Sequence, residues 1–267
     1  MTVAIIGAGV MGETLLSGLV RAGFPVADLV VGEKRAERAV QLREKYGVTV
    51  VDTLAEVTSA DTVALVVKPQ DMGEVLAEIA PHITPGQLVV SLAAGITTDY
   101  IERHLPEGVA VVRVMPNTPA LVDEGMAAIS GGTHCDEEHL VRAEQMLSAT
   151  GRVVRVPEKQ QDAVTAISGS GPAYLFFVVE AMIEAGVHLG LPRSTATELV
   201  VQTMVGSAKL LRETGEHPTV LREQVTSPGG TTAAAIRQLE DHKVRAAFIS
   251  AMEAARDRSK ALASTDE

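Results

Sequence analysis

Gly7, Gly9 and Gly12 stand at the spacing G-x-G-x-x-G within AIIGAGVMGETLLSGL, residues 4–19. Glycines so placed serve a pyrophosphate. The first permits a tight turn, the second omits a side chain where phosphate approaches the backbone, and the third lets helix and strand pack closely. The helix that follows offers unpaired N–H groups and the positive end of its dipole. Gly7, Ala8, Gly9, Val10, Met11 and Gly12 are therefore candidate dinucleotide contacts, and the bland alternative is a glycine turn without ligand. About 20 residues further on, where the second strand should end, GEKRAER places Glu33 to accept ribose hydroxyls, as NAD requires. Lys34, Arg35 and Arg38 would instead clasp a 2′-phosphate, as NADP requires, unless they are only a solvated helix start. A cationic first turn opposes the helix dipole and a phosphate would relieve it. The reading leans slightly to NADP and leaves NAD open.

A second constellation lies in VTSPGGTTAAAIRQLE, residues 225–240. Ser227 and Pro228 break the chain, Gly229 and Gly230 free the backbone, and Thr231 and Thr232 start a helix. Backbone N–H groups there can hold a carboxylate, with the Ser227 and threonine hydroxyls as further donors. The competing reading is a helix cap whose threonine satisfies its own backbone. The double glycine beside the double threonine favours an anion site.

The elements that must carry these residues follow from hydrophobic rhythm. Short Val- and Ile-rich runs at 3–6, 29–31, 48–50, 62–67, 88–91, 109–115, 127–130 and 152–156 read as strands buried on both faces of a parallel sheet. Amphipathic stretches at 13–22, 36–46, 71–80, 98–104 and 137–149 read as helices between them. Gly23, Gly47 and Gly151 follow three of these where a left-handed cap is expected. Such alternation predicts a doubly wound α/β Rossmann domain over 1–160. Beyond SGSGP at 168–172 no strand is expected, and long apolar helices predict an all-helical domain over 161–267. These helices are too apolar for one small domain alone, so dimerisation through them is expected, the alternative being that they simply cover one another. In an open parallel sheet, ligands bind outside the carboxyl ends of the strands. VVKPQ at 66–70, SLAAGI at 91–96 and VMPNTPALV at 114–122 meet that condition, placing Lys68, Pro69, Asn117 and Thr118 beside the nicotinamide, although each stretch also suits an ordinary turn.

Bulk composition narrows the class. The formal charge of −11 argues against a nucleic-acid surface. The single Cys135 rules out an internal disulfide and a multi-cysteine metal site, and reads as a spare thiol near the surface. The first residues lack a basic n-region, and no uninterrupted apolar run nears the roughly 20 residues of a membrane span. A cytoplasmic protein without membrane contact is expected.

The chain resembles the pyrroline-5-carboxylate reductases over essentially its whole length. The resemblance is carried by IIGAGVMGETLLSGL, VVKPQ, RVMPNTPALV, SGSGPAYLFFVVEAM and, most specifically, HPTVLREQVTSPGGTTAAAIRQLE. It implies an N-terminal Rossmann domain for NAD(P)H and C-terminal helices forming an intertwined homodimer, with decamers as the larger assembly. It implies a substrate, L-1-pyrroline-5-carboxylate, lying between the nicotinamide and the helical domain. By the same resemblance Ser227, Gly229, Gly230, Thr231 and Thr232 bind the substrate carboxylate, and Thr232 hydrogen-bonds the ring nitrogen as the catalytic residue. Val67, Lys68, Pro69, Ala94 and Asn117 would line the nicotinamide side. One departure is visible: Glu33-Lys34 stands where related chains often carry Ser/Asn-Arg, which opens cofactor preference but not the reaction.

The implied reaction reduces a cyclic C=N bond to give L-proline. A protonated imine is already a strong electrophile, so positioning in a dry cleft matters more than acid catalysis. That accounts for the lack of an obvious catalytic His or Lys; His188, His217 and His242 read as structural or exposed, as do Glu180 and Glu184. Two other classes share parts of this pattern. A β-hydroxyacid dehydrogenase needs a lysine in K-x-x-N on the interdomain helix, whereas no lysine occurs between Lys159 and Lys209. A non-catalytic nucleotide-binding regulator would have no use for the second anion pocket.

Overall fold

The computed structural model describes residues 1–52 and 59–263. They divide into two compact units, one of Met1–Ser170 with the C-terminal residues from Ala255, the other of Gly171–Ala254.

The first unit is built on an eight-stranded sheet. Its strands are β1 (Val3–Ile6), β2 (Leu29–Gly32), β3 (Thr49–Val51), β4 (Thr62–Leu65), β5 (Leu88–Ser91), β6 (Ala110–Met115), β7 (Gly125–Gly131) and β8 (Gly151–Arg155). The order across the sheet is β3-β2-β1-β4-β5-β6-β7-β8. Each expected apolar run contributes a strand. β4 is shorter than its run, ending at Leu65, although the Val66 N–H still donates to the Ile6 carbonyl at 2.8 Å. The sheet is not wholly parallel: β7 runs antiparallel to β6, while β8 is parallel to β7. The β6–β7 connection holds just one 3₁₀ turn, Thr118–Val122. That is too short for the crossover of a dozen residues that a parallel pair demands.

Alternation along the strands feeds two cores, one on each face. In β1, Val3 and Ile5 join one apolar cluster while Ala4 and Ile6 join the other. The first cluster takes Leu15, Leu16 and Leu19 of α1 (Val10–Arg21), Leu42 of α2 (Ala36–Tyr46) and Met146 of α5 (Glu137–Leu147). The second takes Met72, Leu76 and Ile79 of α3 (Met72–Ile79) and Ile101 of α4 (Thr98–His104). Helices on both faces make the sheet doubly wound.

Gly23 and Gly47 have the expected left-handed φ, 86° and 70°. Gly151 does not cap a helix in that way. Its φ of 149° with ψ −145° opens β8, where any Cβ would run into the Gly125 backbone. Cys135 is half-buried rather than spare: its thiol donates to the Val111 carbonyl at 3.0 Å, and burial pushes its pKa up.

A short helix at Gln161–Val164 and a π-turn at Thr165–Gly169 end the first unit's main segment. At its C-terminal segment, the Ser259 hydroxyl donates to Asp162 at 2.7 Å. The second unit is helical throughout, with α6 (Gly171–His188), α7 (Arg193–Thr214), α8 (Pro218–Gln224), α9 (Thr231–Asp241) and the first part of α10 (Val244–Ala263). Residues 264–267 of the expected helical domain lie outside the described residues. Within residues 171–254 only Pro172 and Ala196 are buried, while Phe176 and Phe177 are 67% and 72% exposed. The helical run Glu158–His188 is also long and apolar enough to cross a membrane by length and composition, although it holds no unbroken apolar run of that length. Interspersed charges such as Asp162, Glu180 and Glu184 hide it from a search for an unbroken run.

Candidate active site

The carboxyl ends of β1, β2, β4, β5 and β6 share one edge of the sheet, since these strands are mutually parallel. Connections leave β1 for β2 on one side and β4 for β5 on the other, so the switch point lies at β1 and β4, where such folds bind ligands.

The glycine loop fits a dinucleotide in three separate ways. Gly7 adopts φ 95°, and a Cβ there would come within 2.6 Å of the Val66 carbonyl oxygen. Gly12 lies inside α1, which starts three residues earlier than the amphipathic pattern indicates; a Cβ on it would strike the Gly7 carbonyl oxygen. Gly9 differs from both, because a Cβ on it would meet nothing within 4 Å. Close packing therefore requires the first and third glycines, and the second faces open space at the helix start. Gly9 is the N-cap of α1 and makes no side-chain cap, so the first-turn N–H groups remain available to phosphate oxygens. Ala8 is buried, whereas Val10 is 73% exposed at the loop tip.

Glu33 follows β2 directly, and its side chain is 7% exposed. Its carboxylate accepts from the Arg35 backbone N–H, Nε and terminal guanidinium nitrogen, each at 2.9 Å. Those bonds from Arg35 hold its pKa below the usual carboxylate value against the cost of burial. The neighbouring cations also have carboxylate partners. Lys34 pairs with Glu78 at 2.9 Å, and Arg38 pairs with Glu13 while donating to the Ala8 carbonyl at 3.2 Å. Glu13 also accepts from Lys45 at 2.9 Å and the Tyr46 hydroxyl at 2.8 Å. Burial works against its ionisation, but bonds from Lys45, Arg38 and Tyr46 prevail and bring its pKa down to about 2. Glu13 was not singled out from sequence; its position one residue after Gly12, facing basic α2, was the available signal.

Val67, Lys68 and Pro69 follow β4, with Lys68 exposed and Pro69 opening a 3₁₀ turn. Ala94 is exposed beyond β5. Asn117 stands beyond β6, but its amide is already engaged: Nδ2 donates to the Ser168 carbonyl and hydroxyl, and Oδ1 accepts from the Met126 N–H.

In the second unit the Ser-Pro-Gly-Gly-Thr-Thr turn is closed by the Gly230 N–H donating to the Ser227 carbonyl at 3.0 Å. Gly229 has φ 69°, and a Cβ on Gly230 would lie 2.5 Å from the Ser227 hydroxyl oxygen. Gly230 is the N-cap of α9 without a side-chain cap. The hydroxyls of Ser227, Thr231 and Thr232 make no hydrogen bond among the described residues, so the threonines do not spend themselves on capping. The turn thus presents open N–H groups and three hydroxyls beside a helix N-terminus, a donor set suited to a carboxylate. His217 caps α8, and Glu184 pairs with Arg193 at 2.8 Å; both are structural.

A doubly wound sheet with this loop, followed by a helical unit, defines a nicotinamide-dinucleotide oxidoreductase. Residues 158–262 match the family described as pyrroline-5-carboxylate reductase dimerisation, and residues 2–95 match the NADP oxidoreductase, coenzyme F420-dependent family. The chain is 46% identical over 265 residues to a pyrroline-5-carboxylate reductase of Corynebacterium melassecola, covering 98% of each. It is 44% identical to the Mycobacterium tuberculosis enzyme of the same name, over 99% of this chain and 98% of that one. A pyrroline-5-carboxylate reductase structure from Coxiella burnetii superposes with TM-score 0.94 at 37% identity, over 98% of both chains. A Plasmodium falciparum pyrroline carboxylate reductase with NADP bound gives 0.87 at 29% identity, again over 98% of both. The chain belongs to the pyrroline-5-carboxylate reductase family.

Proposed function

We propose that this protein reduces the C=N bond of L-1-pyrroline-5-carboxylate to give L-proline, with NADH or NADPH as donor. The observation that carries the reading is the pairing of an open-faced glycine loop with an uncapped, hydroxyl-rich helix start in one chain of this family. When bound, the reduced nicotinamide supplies a hydride. The backbone N–H groups around Gly9 and the first turn of α1 hold the pyrophosphate, and Glu33 addresses the adenosine ribose. Val67, Lys68, Pro69, Ala94 and the Asn117 loop wall the nicotinamide side.

Ser227 and the N–H groups after Gly230 take the substrate carboxylate, with Gly229 giving the turn its shape. Thr232 orients the ring nitrogen. As hydride adds to the imine carbon, the C=N π pair moves onto nitrogen, which ends as the protonated secondary amine at neutral pH. The iminium starts with its charge on nitrogen, so the chain needs no strong acid there and Thr232 only has to hold the N–H or relay a proton through water. Transfer of one deuterium into proline at Cδ, the carbon remote from the carboxylate, from NADH or NADPH carrying two deuterons at C4, would establish the reaction. Deuterium-free proline, or none at all, would refute it.

The exposed apolar helices of the second unit fit a homodimer, with decamers as a larger assembly, better than a membrane, because the same residues match a dimerisation family. A soluble, cytoplasmic enzyme without nucleic-acid contact is the corresponding reading. Light scattering in detergent-free buffer tests it: a defined dimer or multiple of dimers supports it, and a monomer or a detergent requirement contradicts it.

A further inference from the structure

Each cation near the end of β2 is already matched by a carboxylate. Arg35 is bound to Glu33, Arg38 to Glu13 and Lys34 to Glu78. Glu33 is nearly buried, and Glu13 is ringed by three donors from α2.

We propose that this chain selects NADH over NADPH, with Glu33 as the selecting residue and Glu13 as a positioning residue that withholds Arg38. The inference rests on reading the glycine loop as a dinucleotide site and is independent of which imine is reduced. The end of β2 is where such folds meet the adenosine ribose. A ribose 2′-hydroxyl donates to a carboxylate, so Glu33 receives it with Arg35 still in place. A 2′-phosphate is different. It brings close to two negative charges and no donor once ionised. Arg35 meets it with only the guanidinium edge that Glu33 leaves over and with its charge already neutralised, and turning fully to the phosphate would strand a buried carboxylate beside an anion. Arg38 cannot compensate cheaply, because Glu13 and the Ala8 carbonyl hold it and its side chain is 23% exposed. Lys34 is engaged with Glu78 at 2.9 Å.

The test measures dinucleotide affinity without substrate, by calorimetry and by the fluorescence of bound NADH and NADPH. The wild type is expected to bind NADH about tenfold or more tightly than NADPH. Glu33→Ser releases Arg35 and should shift the affinity ratio toward NADPH by about tenfold or more, with Glu33→Gln shifting it in the same direction by less. Glu13→Gln should add to that shift in the Glu33→Ser background by freeing Arg38. Thermal unfolding of each variant shows that the fold persists. Tighter NADPH binding by the wild type, or a ratio unmoved by both Glu33 variants, overturns the selection and leaves the reductase reading standing. Binding of neither dinucleotide overturns the cofactor site and this inference together.

Discussion

Asn117 Nδ2 lies 3.2 Å from the Ser168 hydroxyl and 3.3 Å from its carbonyl, while Asn117 Oδ1 takes the Met126 N–H at 2.8 Å. One amide thereby joins the loop after β6, the start of β7 and the π-turn at Thr165–Gly169. π-turns inside helical segments often mark functional sites. Asn117→Ala leaves the Met126 N–H without its partner, and is expected to lower unfolding free energy by about 1–3 kcal/mol in urea titrations. An unchanged denaturation midpoint would remove this residue from the framework.

Gly9 and Gly12 should separate cleanly. Gly9→Val puts methyls into open space, so melting temperature should hold while NADH affinity drops by about tenfold to hundredfold. Gly12→Ala drives a methyl toward the Gly7 carbonyl, and should lower stability by about 1–3 kcal/mol whether or not cofactor is present. Calorimetric binding and thermal unfolding on both variants check the pair. Equal effects in both assays would contradict the division of labour.

Thr232→Ala is expected to lower kcat/KM for pyrroline-5-carboxylate by about tenfold to hundredfold, the loss of one hydrogen bond to a charged group. NADH affinity in the absence of substrate should stay within error of the wild type. Parallel losses in turnover and cofactor binding would take Thr232 away from the substrate.

The Glu13 carboxyl, brought from 4.5 to about 2, makes stability depend on acidity. A carboxyl depressed in the folded state stabilises fully above its unfolded pKa and loses that contribution as pH falls through the folded value. Stability should therefore decline between about pH 4.5 and 2, with Glu13 contributing about 1–3 kcal/mol after screening at its partly exposed site. Glu13→Gln should flatten that part of the pH profile in urea titrations, and an identical slope in the variant would refute the assignment.

Much of this was legible in the residues because local signals agreed. Buried parallel strands write themselves as unbroken Val/Ile runs, as in β1, β2, β4, β5 and β6, and Gly23 and Gly47 announced their left-handed caps; β8 kept its place in the sheet but is largely exposed at its edge, not buried on both faces as its run suggested. The reversal of β7 depends on the length of a connection, and the run at 127–130 is silent about strand direction. The partners of the charges after β2 were hidden for a related reason. Lys34, Arg35 and Arg38 are neighbours in sequence, but Glu78 and Glu13, which engage two of them, come from other elements. The tie between Asn117 and Ser168 was hidden likewise, since nothing local reveals that Ser168 lies beside it.

The central claim is that a reduced nicotinamide and a small cyclic imino acid react on this chain. Purified protein given NADH and L-1-pyrroline-5-carboxylate, with cofactor absorbance and proline followed together, tests it directly. The account predicts one proline formed for each NADH oxidised, and no NAD⁺ reduction with 3-hydroxyisobutyrate. Steady absorbance with the imine under NADH and under NADPH, or turnover of the hydroxy acid instead, would contradict it.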